Sequence, residues 1–274
     1  MSSVPALALR YGSDADAPSP ALSSPAIELM LAHRSVRGYR PDALPNGALE
    51  AMIAAAQSAA TSSNLQAWSV VLVTEPAAKA QLAALAGGQK HIEECPCFLL
   101  FVADLARLNR VAEREGLPSA GNDTLEMFLV AAIDAALAAQ NAVTAAESLG
   151  LSTVYIGAMR NQPEAVAGIV GLPPGAAVVF GLCVGFAAEG RGGSVKPRLP
   201  QAAVLHRERY DLESQDAAVS RYNEAMAAFN ARERVNTTTR WSVHSARRVS
   251  GPESISGRHV LMQALRRMGF FKAE

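Results

Sequence analysis

His33-Arg34-Ser35-Val36-Arg37 gathers two guanidiniums, an imidazole and a hydroxyl in one short stretch. Arginine offers planar, permanently charged donors that match phosphate and carboxylate oxygens. A serine hydroxyl and backbone N–H groups at a turn add short donors to the same spot. The stretch follows the helical run Ile27-Glu28-Leu29-Met30-Leu31-Ala32, so it falls where a helix ends. Its chemistry is that of an anion cradle, most simply for a phosphate. Taken alone it also reads as a solvated basic turn. Lys196-Pro197-Arg198 is a second cationic segment, with its backbone stiffened by proline, and has the makings of a partner to the first.

Other stretches supply uncharged donors. Thr61-Ser62-Ser63-Asn64-Leu65-Gln66 is a loop of hydroxyls and amides. Gly87-Gly88-Gln89 ends a helix, where paired glycines let backbone approach a ligand and Gln89 brings both a donor and an acceptor. Gly157 follows the strand Thr153-Val154-Tyr155-Ile156 and precedes Ala158, which opens backbone N–H groups at a bend. Each also has an ordinary structural reading, as a polar loop, a helix stop and a strand end.

Composition narrows the partners. The 274 residues hold 25 Lys+Arg against 25 Asp+Glu, a formal net charge of zero. That balance argues against nucleic acid or an anionic membrane as the main partner. The 3 cysteines, Cys95, Cys97 and Cys183, sit in apolar runs and read as buried, reduced thiols in a cytoplasmic protein. The 5 histidines are scattered without metal-ligand spacing, so no metal is expected. The chain lacks GxGxxG after a strand, GxxxxGK[ST], GxSxG and HExxH, which disfavours a Rossmann dehydrogenase, a P-loop enzyme and an α/β-hydrolase. Val4 to Leu9 is too short for a secretory signal. The apolar tract from Leu125 to Leu149 contains Glu126, Asp134, Gln140, Asn141 and Glu147, too many polar groups for a membrane span.

The elements that must position these residues alternate between helix and strand. Residues 1–24, rich in Pro, Ser and Asp, read as a flexible extension. Helices are expected over Ala48–Ala60, Pro76–Ala86, Asp123–Leu149, from Pro163, over Ser214–Arg232 and over His259–Met268. Strands are expected over Trp68–Thr74, Phe98–Ala103, Thr153–Ile156 and Ala176–Phe186. Asp104–Gly121 reads as a polar, irregular or weakly helical excursion. Asp123-Thr124-Leu125-Glu126 reads as a capping box, and Gly150 as a left-handed stop.

In this order, the stretches at 33–37, Gly87-Gly88-Gln89-Lys90-His91, Ala139-Gln140-Asn141, residues 145–151, Val154–Gly157, Arg160-Asn161, Phe180-Gly181-Leu182-Cys183 and Lys196–Pro200 resemble the FMN-dependent nitroreductase superfamily. The likeness is to its nitroreductase A and NADPH–flavin oxidoreductase group, and it spans about Ile27 to Phe270. It implies an α+β fold with a central, mainly antiparallel sheet surrounded by helices, and an intertwined homodimer with FMN in clefts built from both subunits. Residues 25–274 would form the FMN-binding domain, with 199–274 as a wrapping C-terminal arm. By the same resemblance His33, Arg34, Ser35, Lys196 and Arg198 would hold the FMN phosphate and its surroundings. Arg37 would face the pyrimidine edge of the ring, and Gln89 would bond the flavin. Tyr155, Ile156, Gly157 and Ala158 would run past it. Thr61, Ser62, Ser63 and Leu65 would reach it from the other subunit. Arg160 and Arg258 match family arginines near the open face of the flavin, and Arg232 one near the nicotinamide cosubstrate.

The resemblance implies two-electron reduction of nitroaromatics and quinones by NADPH or NADH in a ping-pong cycle. A cofactor that carries the redox chemistry explains the lack of an acid–base pair. A flavin reductase passing reduced flavin to a partner, or a flavin-binding module without turnover, remain as alternatives. The sequence departs from the family pattern at Asn64, where Phe is expected, at Ala158, where Gly is expected, and at Thr237-Thr238-Thr239-Arg240-Trp241, where an arginine pair before Asp-Thr-Trp is expected.

Overall fold

In a computed structural model, residues 4–12, 16, 18 and 22–272 are described. The chain divides into two compact units. One comprises residues 1–34 and 193–255, the other residues 35–192 and 256–274.

The larger unit is built on a sheet of β1 (Trp68–Val73), β2 (Cys97–Asp104), β3 (Ser152–Ile156) and β4 (Ala176–Gly185), in the order β1-β2-β4-β3. Every neighbouring pair is antiparallel. β2 and β4 lie inside the sheet and are the most continuously apolar strands, as burial on both faces requires. Alternation along β2 divides its side chains between two layers. Leu99 and Phe101 pack toward α7 (Leu125–Ser148) and α3 (Ala48–Gln57), among Met52, Ala135, Ala138 and Ala142. Phe98, Leu100 and Val102 pack on the opposite face with Leu82, Ile92 and Val166, from α4 (Pro76–Leu85), α5 (Lys90–Glu94) and α8 (Pro163–Val170). A third cluster joins Phe128 of α7 to Phe270 and Phe271, with ring centroids 5.3 and 5.5 Å apart, beyond α11 (Leu261–Arg267). Cys95, Cys97 and Cys183 are buried and free.

Among the described residues α7 alone is long and apolar enough to cross a membrane. Its alanine-rich inner face instead lies against the sheet, and Asp134 is buried in that face. Its N-cap is Thr124, whose hydroxyl accepts the Met127 N–H at 3.5 Å. The expected box is therefore displaced by one residue, and Glu126 falls too early to return to the cap. Gly150 stops the helix with φ +77°. The expected excursion after β2 is a regular helix, α6 (Ala106–Glu115).

The smaller unit contains α1 (Val4–Tyr11), α2 (Pro25–Leu31), α9 (Gln215–Arg232) and α10 (Trp241–Arg248). Part of the N-terminal stretch expected to be flexible is thus helical; most of residues 13–21 lies outside the described residues. Tyr222 of α9 is the centre of this unit: the ring meets Trp241 edge-on at 5.1 Å, and the hydroxyl donates to the Pro197 carbonyl at 2.9 Å. Gly12, at φ +77°, packs so closely on α9 that a Cβ there would lie 2.9 Å from Ala225 Cβ. α10 was not legible in the sequence; Asn223 fixes its first turn by exchanging two hydrogen bonds with Ser242, each 3.0 Å.

Candidate functional site

In the smaller unit the two cationic segments are joined by one buried guanidinium. Arg10, 7% exposed, donates to the Leu31 carbonyl at 3.2 and 2.6 Å and to the His33 carbonyl at 2.7 Å. It also donates to the Lys196 carbonyl at 3.0 Å. The Arg10 carbonyl in turn accepts the Arg198 N–H at 2.8 Å. Arg34, Lys196 and Arg198 are exposed, and His33 is half-buried. Arg198 also donates to the Lys196 and Pro197 carbonyls, at 3.1 and 3.3 Å, which curls its stem over the Pro197 turn. His33, Arg34, Lys196 and Arg198 therefore come from backbone that meets at Arg10, a set of donors suited to a doubly charged phosphate. Arg232 lies at the end of α9, paired with Glu233 at 2.9 Å and stacked over Phe229 at 5.3 Å. Glu233 also accepts the Ser194 hydroxyl; together with Arg232 this holds its carboxyl below the usual range.

In the larger unit the rest of the first segment runs beside β3. Ser35 forms a parallel bridge with Thr153, and the Val36 N–H donates to the Thr153 carbonyl at 3.0 Å. Val36 is fully buried while Ser35 and Arg37 are exposed, so alternation turns the Ser35 and Arg37 side chains outward. The Tyr39 hydroxyl lies 2.9 Å from the Val36 carbonyl and 3.3 Å from that of Cys183, tying the segment to β4. Burial pushes the Tyr39 phenol upward, so it stays a neutral donor. Arg191 donates to the Arg37 carbonyl at 2.8 Å and pairs with Glu94 at 3.1 Å. Burial, with the charge of Arg37 second, lowers the His91 imidazole below its ordinary value. His91 Nε2 is buried with no hydrogen-bond partner among the described residues. Gln89 caps α5, and its amide donates to the Ala86 carbonyl at 2.9 Å. Gly87 and Gly88 both take left-handed φ, at 82° and 76°, as the helix stop requires.

At the far end of β3 two more arginines meet. The sheet carries a bulge: Phe101 pairs with Phe180 but Val102 pairs with Val178, which leaves Val179 outside the ladder. The Val179 carbonyl accepts from Arg160. A Cβ on Gly157 would lie 3.4 Å from the same guanidinium, so Arg160 runs along the Gly157 turn. Arg258 donates to Asn161, the next residue, at 2.9 Å. Burial, then the Arg258 charge, lowers the Arg160 pKa. Two guanidiniums thus stand beside a strand-end turn, a donor pair whose charge suits an anion. Ile156 and Ala158 are buried there, and the half-buried Tyr155 meets Phe180 edge-on at 5.1 Å with its hydroxyl 3.4 Å from Gln140. Burial, with Glu147 second, raises the Tyr155 phenol.

The loop after α3 holds three non-glycine residues in left-handed conformation: Ser63 (φ 48°), Asn64 (φ 54°) and Gln66 (φ 50°). Such conformations are costly and need support from their surroundings. Asp134 of α7, 2% exposed, accepts the Thr61 hydroxyl at 2.6 Å, the Ala67 N–H at 3.0 Å and the Ser62 N–H at 3.3 Å. The Thr61 oxygen accepts the Gln66 N–H at 2.9 Å. Arg107 reaches the Gln66 and Trp68 carbonyls at 3.0 and 3.1 Å. Thr61 thus serves the loop's own shape, and Ser62 and Ser63 are the exposed hydroxyls beside half-buried Leu65. Sequence reasoning missed Arg10, Arg107 and Asp134.

Residues 30–186 match the Nitroreductase family, and residues 196–273 match the Nitroreductase family, C-terminal domain. The chain belongs to the nitroreductase family. Among relatives of this nitroreductase-family chain is the oxygen-insensitive NADPH nitroreductase of Salmonella typhimurium, 38% identical over 225 residues, covering 82% of this chain and 90% of the relative. The FMN reductase (NADPH) of Bacillus subtilis is 39% identical over 213 residues, covering 77% and 84%. The solved structure of B. megaterium NfrA1 superposes with a TM-score of 0.85 at 37% identity, over 91% of this chain and all (100%) of that one. The expected nitroreductase-like fold, with its antiparallel sheet, is present.

Proposed function

We propose that this chain is a cytoplasmic FMN-dependent oxidoreductase that takes electrons from NADPH or NADH and passes them in pairs to nitroaromatics and quinones by a ping-pong mechanism. The observation that most supports this reading is the junction at Arg10 of two cationic segments, one ending at Arg34 and the other carrying Lys196 and Arg198. The donor set fits a ribityl phosphate, and the buried, unpartnered His91 nitrogen fits a polar ring edge. Bound FMN would supply hydride acceptance from the nicotinamide and two-electron delivery to the acceptor. His33, Arg34, Lys196 and Arg198 would hold the phosphate by charge-assisted hydrogen bonds, and Ser35 would add its hydroxyl. Arg37 would hold positive charge against the pyrimidine edge and favour an electron-rich ring. Gln89 and the Tyr155–Ala158 turn would orient the ring. Arg160 and Arg258 would draw the anionic parts of the pyridine nucleotide or acceptor, and Arg232 those of the nucleotide. Free flavin is a second candidate acceptor, in keeping with the name of the Bacillus subtilis relative.

The purified protein is expected to be yellow, to release FMN rather than FAD on denaturation, and to bleach with NADPH in the absence of oxygen. The Arg34→Ala/Arg198→Ala double variant should emerge largely colourless. A fully coloured double variant would contradict the phosphate cradle, and colour that persists under excess NADPH and NADH without oxygen would favour a flavin store without turnover.

The proposal includes a homodimer paired through α7. Leu125, Leu129, Ile133 and Leu137 recur every fourth residue on its outer face and are 43%, 45%, 55% and 43% exposed. A contiguous stripe of large aliphatic side chains is unfavourable in water and marks a surface that another chain covers. Ser62, Ser63 and Leu65 would then face the partner's flavin. Ile133→Glu should shift the protein to a monomer in light-scattering chromatography and strip its colour; a coloured dimer of this variant would refute the assignment.

A further inference from the structure

We infer that Arg10 is a positioning residue for phosphate recognition: its guanidinium sets the spacing between the His33-Arg34 and Lys196-Arg198 segments. The inference rests on the reading above that these segments receive the FMN phosphate. Four cationic or potentially cationic side chains on two segments repel one another, so the segments need a tie that does not consume those side chains. Arg10 provides one that meets only the backbone of the two segments: its guanidinium donates to the carbonyls of Leu31, His33 and Lys196, and its own carbonyl accepts the Arg198 N–H. The side chains of Arg34, Lys196 and Arg198 are exposed. The fixed fork of a guanidinium spans three carbonyls at once, which a single ammonium cannot do with the same reach. Arg10 lies in α1, ahead of residue 30, where the family match begins. The segment before the match is therefore part of the binding apparatus rather than an appendage.

The test compares FMN with riboflavin, which has the same ring and no phosphate. Cofactor-free protein is titrated with each, following the quenching of flavin fluorescence, in the wild type, Arg10→Ala and Arg10→Lys. Wild-type protein should prefer FMN. Arg10→Ala should weaken FMN by about tenfold to a hundredfold, the scale expected when one or two charge-assisted hydrogen bonds to the phosphate no longer form, while riboflavin affinity stays within about twofold. Arg10→Lys should fall between, and carries the test if the alanine variant fails to fold. Equal weakening of both ligands would make Arg10 a general structural residue and overturn the inference, as would wild-type FMN affinity in both variants. A wild type that binds FMN no better than riboflavin would instead sink the phosphate reading itself, and this inference with it.

Discussion

Asp134→Ala is expected to destabilise the protein by about 3–5 kcal/mol, because it orphans several donors at once in a nearly dry site. The carboxylate accepts the Thr61 hydroxyl and the N–H groups of Ser62 and Ala67, and Ala67 is only 1% exposed. No water can readily replace the acceptor at Ala67, so that N–H bears a full desolvation penalty. Release of Thr61 also frees the Gln66 N–H, and with it the support for the left-handed conformations at Ser63, Asn64 and Gln66. Asp134→Asn keeps one acceptor but turns an NH2 toward donors, so it should fall between alanine and wild type. Urea denaturation with an unchanged slope would measure the loss. The loop is supported from a helix whose outer face is the proposed dimer surface, so FMN affinity should fall in the same variants. An alanine variant within about 0.5 kcal/mol of wild type would show that the loop carries itself.

Gly181→Ala should cost about 2–3 kcal/mol and lower the melting temperature by several degrees, on the order of 2–4 °C per kcal/mol for a chain of this size. Gly181 lies in β4 between Leu100 of β2 and Ile156 of β3. A Cβ there would sit 2.5 Å from Phe98 Cζ and 3.4 Å from Ile156 Cβ. Phe98 is fully buried among core neighbours and has nowhere to turn. The strain falls first on Phe98 and the β2–β4 pairing, and the added methyl also presses at 3.4 Å on Ile156, the last residue of β3, which leads into the Gly157 turn and Arg160. The variant should therefore also raise KM for NADPH more than a surface change of equal stability cost. A melting temperature equal to wild type would mean that the sheet absorbs the methyl without moving.

These two sites mark the boundary of what the sequence could convey. β2 and β4 are legible as apolar runs, and the cationic segments as clusters, because each signal is local. Gly181 is visible as a strand glycine, yet the ring that demands it, Phe98, comes from another strand. Asp134 reads as one polar residue in an alanine-rich helix, since its partners at Thr61 and Ala67 are set by tertiary contact. The Arg160 acceptor is more hidden still: Val179 offers its carbonyl through a bulge, and nothing in Val178-Val179-Phe180 announces one. α10 escaped because its first turn is fixed by Asn223, on the preceding helix, and Arg10 because a lone arginine in a short helix carries no pattern.

The placement of α1 also bears on how the gene should be handled in the laboratory. A clone trimmed to the residues that match the family would begin after the guanidinium that ties Leu31, His33 and Lys196 together. Such a product would keep its sheet and its exposed arginines, yet lose the guanidinium that bonds both stretches of backbone.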